Sequence, residues 1–343
     1  MNEKATFVLV MAIAASCKGS STSQQTEADR PQGVAPAAVA QIGKDRMHRH
    51  NVLVAALSGD GSRIATGSVG GEVLVWSTKP FVPVRDLPPS ANRGKISALA
   101  LSQDGGEALV APDWKPAVER WDVAAGTPRS PLAAHTGRTT ALVYGPGGIV
   151  ATGGADRRTP ASGGGNDDEV PALAPPTVRL WKGETRVREL TGLKARIGAI
   201  AFNHDGSLIA AGGDDAVKVW NTASGAEVAS YDLPGESATV AFRGDEVCAV
   251  SSTAAACFPK GGAVAGAKAP TRAAAVTPQW IASGTFDAVE VRGADGAVRA
   301  TIPGRAYAIV GHGDDLWAIL ADSAVAVTAG VAAPPVAIKV PAK

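Results

Sequence analysis

Five histidines are the side chains of this sequence best suited to proton transfer or metal binding near neutral pH, and their spacing gives them no common task. His48 and His50 precede the first apolar run, His204 and His312 fall in turns of separate segments, and His135 stands alone. They read as surface or packing residues. No serine stands in a G-x-S-x-G elbow, and no P-loop or dinucleotide glycine fingerprint follows a strand and opens a helix. Asn166, Asp167, Asp168 and Glu169 offer oxygen ligands in a row, but adjacent residues seldom converge on one ion and the spacing of an EF-hand is absent. Cys248 and Cys257 have no other Cys or His at ligand spacing, which argues against metal. Two readings of them stay open: a disulfide if strand register sets them opposite each other, or two buried thiols. The sequence thus predicts no catalytic residue, no cofactor and no metal.

The elements around these residues are short strands. Gly 40 and Pro 23 are too many for long helices, while 45% hydrophobic residues are ample for a core. Arg196 to Asn221, RIGAIAFNHDGSLIAAGGDDAVKVWN, shows the unit most completely. Three apolar runs, Ile197 to Phe202, Leu208 to Ala211 and Ala216 to Trp220, are separated by a turn at Asn203-His204-Asp205-Gly206 and a second at Gly213-Asp214-Asp215. That pattern is an antiparallel meander.

Aligned on this pattern, the chain contains seven copies. They are Val52 to Trp76, Ile96 to Trp121, Thr140 to Trp181 with an interruption after Asp156, the unit above, Ala238 to Phe258, Ala273 to Val291, and Tyr307 to Val327. Trp76, Trp121, Trp181, Trp220 and Phe258 occupy one anchor position, with Val291 and Val327 in the last two copies. A further run after each anchor, such as Ala226 to Leu233, supplies a fourth strand. A four-stranded sheet with two apolar faces cannot stand alone, and radial closure of the copies into a ring buries both faces and leaves only short edges. The expectation is an all-β, seven-bladed β-propeller over residues 39–343, with a loop insertion at about 157–176. Either Val39 to Met47 or Pro335 to Val340 would add the outer strand of the last blade.

Phe202 to Trp220, FNHDGSLIAAGGDDAVKVW, resembles the core of WD40 repeats, and Trp121-Asp122 reproduces that family's terminal dipeptide. The resemblance covers about residues 50 to 330 and is strongest in the first four copies. It implies a structural polar network, in which His135, Thr152, Asp156 and Trp181 would assemble in the third unit; the fourth has Asp214 and Trp220 but Leu193 near the histidine position. It implies blades held more by apolar packing than by that network. Sialidase-type Asp boxes and the tryptophan motifs of quinoprotein dehydrogenases do not match this sequence.

The amino terminus gives a location. Lys4 precedes an apolar run from Ala5 to Ala15 that as a helix would span roughly 17 Å, too short for a bilayer, in the layout of a cleavable signal peptide over residues 1–16. Ala14-Ala15-Ser16-Cys17 resembles a bacterial lipobox, which implies acylation of Cys17; Lys18 behind it implies the outer membrane of a Gram-negative envelope. Residues 17–38, rich in Ser, Gln, Pro and Ala, read as a flexible tether. Net charge is +1, so no global field draws the protein to nucleic acid or to a membrane surface. The expected function is a non-catalytic, monomeric scaffold that binds protein partners and touches the membrane only through its lipid; the alternative is an enzyme or small-ligand binder using the central channel.

Overall fold

Asp-Gly turns and alternating apolar runs fold into hairpins wherever the sequence repeats them. At the first turn of the first unit Asp60 Oδ1 accepts from Ser58 Oγ (2.7 Å) and Ser62 N (2.9 Å), and Gly61 closes it at φ 71°. The computed structural model describes residues 47–88, 93–113, 115–157, 173–259, 262–263, 273–293, 295–320, 323–328 and 330–337. All belong to one compact unit, Ile42–Lys343. The proposed signal peptide, Cys17, the tether, the acidic run 166–169 and Val39 to Arg46 lie outside the described residues.

The strands form antiparallel sheets in which each follows its sequence neighbour. Four sheets are four-stranded and begin at Val52–Leu57, Ile96–Leu101, Arg138–Tyr144 and Ala273–Val276. A fifth begins at Ala306–His312 and ends with two short outer strands, Val331–Ala332 and Val336–Ala337, both paired to Ser323–Thr328. The carboxy-terminal segment therefore supplies an outer strand of the last sheet. The sixth is seven-stranded and runs from Ala199–Phe202 to Gly262–Ala263. Sequence reading separates a fourth strand from the next copy here, yet Glu227–Arg243 is continuous. Its first half pairs with Asp214–Asn221 up to Glu236, and from Ser237 it pairs with Glu246–Ser251, so one strand is the outer edge of one meander and the inner edge of the next.

The first strands of the meanders touch one another in cyclic order. Val52–Leu57 neighbours Ile96–Leu101, then come Arg138–Tyr144, Ala199–Phe202, Glu227–Arg243, Ala273–Val276 and Ala306–His312, which returns to Val52–Leu57. Each interface between consecutive meanders is a dry apolar cluster, and the closing one packs Ile64 and Trp76 against Trp317, Ile319 and Ala324. Middle strands are buried on both faces, as in Arg63–Ser68, while outer strands such as Thr127–Leu132 are exposed over most of their length. Hydroxyls on the inner strands tie neighbours together: Ser97 Oγ lies 2.7 Å from Thr139 O, and Thr140 Oγ1 donates to Ile197 O at 2.6 Å.

The anchor tryptophans sit in these interfaces. Trp76, Trp121, Trp181 and Trp220 are each 5% exposed or less and face the preceding meander. Phe258 is half-buried and stacks on Tyr231 with ring centroids 4.4 Å apart. Val327 faces the preceding meander as expected, but Val291 does not: it packs toward the following one with Leu316 and Val325. The ladder explains this. Trp76 pairs with Ile64 directly after a register shift, and in the sixth copy the residue after the shift, paired with Ile281, is Arg292. An offset of one residue exchanges the faces of a strand: Val289 and Val291 share the face toward the following meander, and the other face carries the Glu290–Arg292 ion pair.

Candidate functional site

The inner ends of the meanders carry the polar chemistry, and four successive units solve one packing problem in different ways. In the first, Thr66 Oγ1 lies 2.7 Å from His48 Nε2 and accepts from Trp76 Nε1 at 2.7 Å, with His48 and Thr66 fully buried. Glu72 stands 3.4 Å from His48 Nδ1, an electrostatic contact rather than an aligned hydrogen bond, and accepts from Ser68 Oγ (2.8 Å) and the amides of Arg49 and His50. Burial opposes its charge, but the His48 contact and the bonds from Ser68 and those two amides prevail and bring its carboxyl down to about 2. The sequence places His48 in the lead-in as a surface or packing residue, and in the structure it is a packing residue, fully buried. The available signal was spacing, since His48 stands 28 residues ahead of Trp76 and Arg93 stands 28 ahead of Trp121.

In the second unit Arg93 takes the histidine's place. It is 2% exposed, pairs with Glu119 at 2.7 Å, lies 5.1 Å above the Trp121 ring and donates to the carbonyls of Gly71, Leu87 and Pro88. Glu119 in turn accepts from Trp121 Nε1 at 3.0 Å. In the third unit the expected His135, Thr152 and Trp181 do converge, each nitrogen 3.1 Å from Thr152 Oγ1. Asp156 does not bond His135, whose Nδ1 is buried without a hydrogen-bond partner; it accepts from Thr136 N and holds Arg179, which bridges to Glu189 and Ala134 O. Burial first, then the Arg179 charge, push His135 down to about 4, so the ring is neutral at pH 7. In the fourth unit Leu193 joins Trp220 in an apolar cluster. Asp214, expected in that unit's network, is exposed and paired in the ladder with Glu236.

These networks cement blades. Among the described residues an axial channel of about 810 Å³ is walled by inner-strand residues such as Ala55, Ala98, Ala141, Ala199 and Ala308. Its charged lining is four cations, Lys95, Arg138, Arg196 and Arg305, and one carboxylate, Glu236. Arg138 Nε reaches Asp113 at 2.5 Å, Lys95 approaches the same carboxylate at 3.7 Å, and Arg196 pairs with Glu236. Burial first, then repulsion from Arg138, hold the Arg196 guanidinium below its ordinary value. His204 and His312 are exposed in turns, as the sequence suggested, and neither lines the channel.

Cys248 and Cys257 are opposed in the ladder and joined by a disulfide, with Cα atoms 4.0 Å apart. Glu246 approaches both sulfurs, but the disulfide leaves no thiolate for a metal. The insertion after Asp156 is closed at its base by a bridge between Arg157 and Leu173, and Arg138 pairs with Ala155 two residues earlier, so its ends emerge beside the channel mouth.

Radial antiparallel sheets closed into a ring around an axial channel define a β-propeller built from repeats. Two of the repeats match the WD40 family: the model of the family described as "WD domain, G-beta repeat" matches residues 42–77, the first unit with its lead-in, and 184–221, which ends at the fourth unit's Trp220-Asn221. The chain is also similar to Ribosomal RNA-processing protein 9 of Saccharomyces cerevisiae, 33% identical over 57 residues; the match covers 17% of this chain and 10% of that protein.

Proposed function

We propose that this protein is a non-catalytic scaffold, a seven-bladed WD40-like propeller that presents one ring face to protein partners and is held at a bacterial cell envelope by lipid on Cys17. The observation that carries the reading is the rim formed by the inter-blade connections and the second turns. It gathers the channel cations and both ends of the 157–173 insertion on one face of the ring. Surface loops on a rigid repeat scaffold are where binding concentrates. WD40 repeats generally serve protein interaction, which supports the class of function and not its partner. Seven blades follow from counting Glu227–Arg243 as two, one for each half-sheet.

A pull-down from detergent-solubilised envelopes, comparing the intact protein with one lacking residues 159–172, tests this reading. Specific partners retained by the intact form support it, and none with either form overturns it. Incorporation of labelled fatty acid that disappears in Cys17→Ser tests the anchor. A second reading, a small-ligand binder or enzyme using the channel, rests on the basic mouth of the cavity; a titration of the intact protein with small anions addresses it.

A further inference from the structure

All inner strands start at the same end of the ring, so the residue at or just ahead of each start is delivered to one mouth of the channel. Taken in ring order from the last sheet, those residues are Arg305, Asn51, Lys95 and Arg138; at the next strand Gly198 holds that place and Arg196 stands three residues ahead of Ala199–Phe202, and Glu236 precedes the half-strand that begins at Ser237. Four successive positions thus hold three cations and no acid, and Arg196 adds a fourth cation. Asp113, from the second turn of its unit, is shared between Lys95 and Arg138, and Glu236 engages Arg196. Asp214 also acts on Arg196, so among the described residues four cations face three carboxylates and the mouth keeps a positive excess.

Arg305 adds an independent observation. Its guanidinium lies 5.1 Å from the Phe286 ring and 5.0 Å from the Tyr307 ring, and its Nε is buried with no hydrogen-bond partner. A guanidinium fixed by aromatic faces presents a rigid fork of donors that matches a carboxylate in two-point fashion. The cations form an arc along consecutive blades and do not cluster at a point. One small anion reaches neighbouring members of such an arc, whereas an extended chain with several carboxylates reaches all of it. We propose that this mouth binds an acidic peptide segment of a partner protein, its carboxylates laid along Arg305, Lys95, Arg138 and Arg196. The proposal rests on the scaffold reading and names the chemistry of the partner.

The test is fluorescence anisotropy of dye-labelled hexaglutamate titrated with the full-length protein, with hexalysine as control and inorganic pyrophosphate as competitor. Saturable hexaglutamate binding that weakens steeply with added salt is expected, with none for hexalysine. Arg196→Gln combined with Arg305→Gln lowers the affinity about tenfold, each lost contact counting for roughly threefold, and Lys95→Gln lowers it about threefold. Lys182→Gln, which removes an exposed cation outside the channel, leaves it unchanged. Thermal melts verify that each variant is folded, and Lys95→Gln, whose side chain is 46% exposed, keeps the test informative if the double variant is not. No saturable binding at millimolar peptide, or equal binding by the wild type and the folded variants, overturns the proposal. So does pyrophosphate binding more tightly than hexaglutamate, which would mark a small-anion site. Partners captured from envelopes undiminished by the Arg196 and Arg305 substitutions would overturn it while leaving the scaffold reading intact.

Discussion

Thr66→Val isolates the network of the first blade, because valine keeps the volume and β-branching of threonine and deletes one hydroxyl. That oxygen lies 2.7 Å from His48 Nε2 and accepts from Trp76 Nε1 at 2.7 Å, and none of the three residues is more than 1% exposed. Water has no route to replace it, so two buried polar nitrogens lose a partner, at about 1–2 kcal/mol each. The added methyl returns about 0.8 kcal/mol of transfer free energy. The expected net loss is about 1–3 kcal/mol, measured by urea unfolding at 25 °C with tryptophan fluorescence and an unchanged m-value. Thr152→Val breaks the equivalent contacts at 3.1 Å and is expected to cost less, about 1–2 kcal/mol. A double-mutant cycle adds Trp76→Phe, which removes the indole donor; Thr66→Val is then expected to cost about 1 kcal/mol less than in the wild type. A loss within about 0.5 kcal/mol of zero for Thr66→Val, or full additivity with Trp76→Phe, would refute the claim that this hydroxyl joins the blade.

Other consequences are checked in the same way. Glu72 is an acid whose folded pKa, about 2, lies below its ordinary 4.5, so its contribution is present above pH 4.5 and is lost as pH falls toward 2; Glu72→Gln should flatten the stability profile in that window, measured by urea midpoints. His135 is a base with a folded pKa of about 4 against an ordinary 6.5, so the unfolded chain takes up the proton first and stability falls as pH drops from 6.5 to 4. His135→Gln should remove that slope, and NMR should show no titration of His135 near pH 6.5. Arg93→Met strands Glu119 and three carbonyls and should cost about 3–5 kcal/mol in urea unfolding. Replacing Cys248 and Cys257 by alanine releases a loop of nine residues and should cost about 2–3 kcal/mol, with dithiothreitol reproducing the loss in the wild type.

From the sequence, the central channel is where an enzyme or small-ligand binder, the alternative to a scaffold, would work. The structure gives a channel lined by alanines and by hydroxyls such as Ser97 and Thr140, with a basic mouth. Burial holds the Arg196 guanidinium below its ordinary value, and a guanidinium is no general acid or base at neutral pH. The mouth was illegible in sequence because Lys95, Arg138, Arg196 and Arg305 lie tens of residues apart, and each by itself reads as a polar residue in a loop. Repeat alignment holds part of the missing signal: Lys95 and Arg305 stand just ahead of their inner strands and Arg138 opens its own, whereas Arg196 lies three residues ahead of Ala199–Phe202, outside any common register.

What the sequence determined by itself was local. Asp-Gly turns, period-two apolar runs and the Trp76, Trp121, Trp181 and Trp220 anchors fix hairpins within about thirty residues of chain, and hairpins with two apolar faces require a ring. The burial of His48, the substitution of Arg93 for histidine, the continuous strand Glu227–Arg243, the face of Val291 and the pairing of Cys248 with Cys257 were decided in the tertiary structure. Each depends on register or on a neighbouring blade, and a shift of one residue leaves the composition of a strand unchanged while exchanging what its side chains meet. The basic mouth depends on closure itself, because only when the last sheet meets the first do charges from distant copies face a common axis.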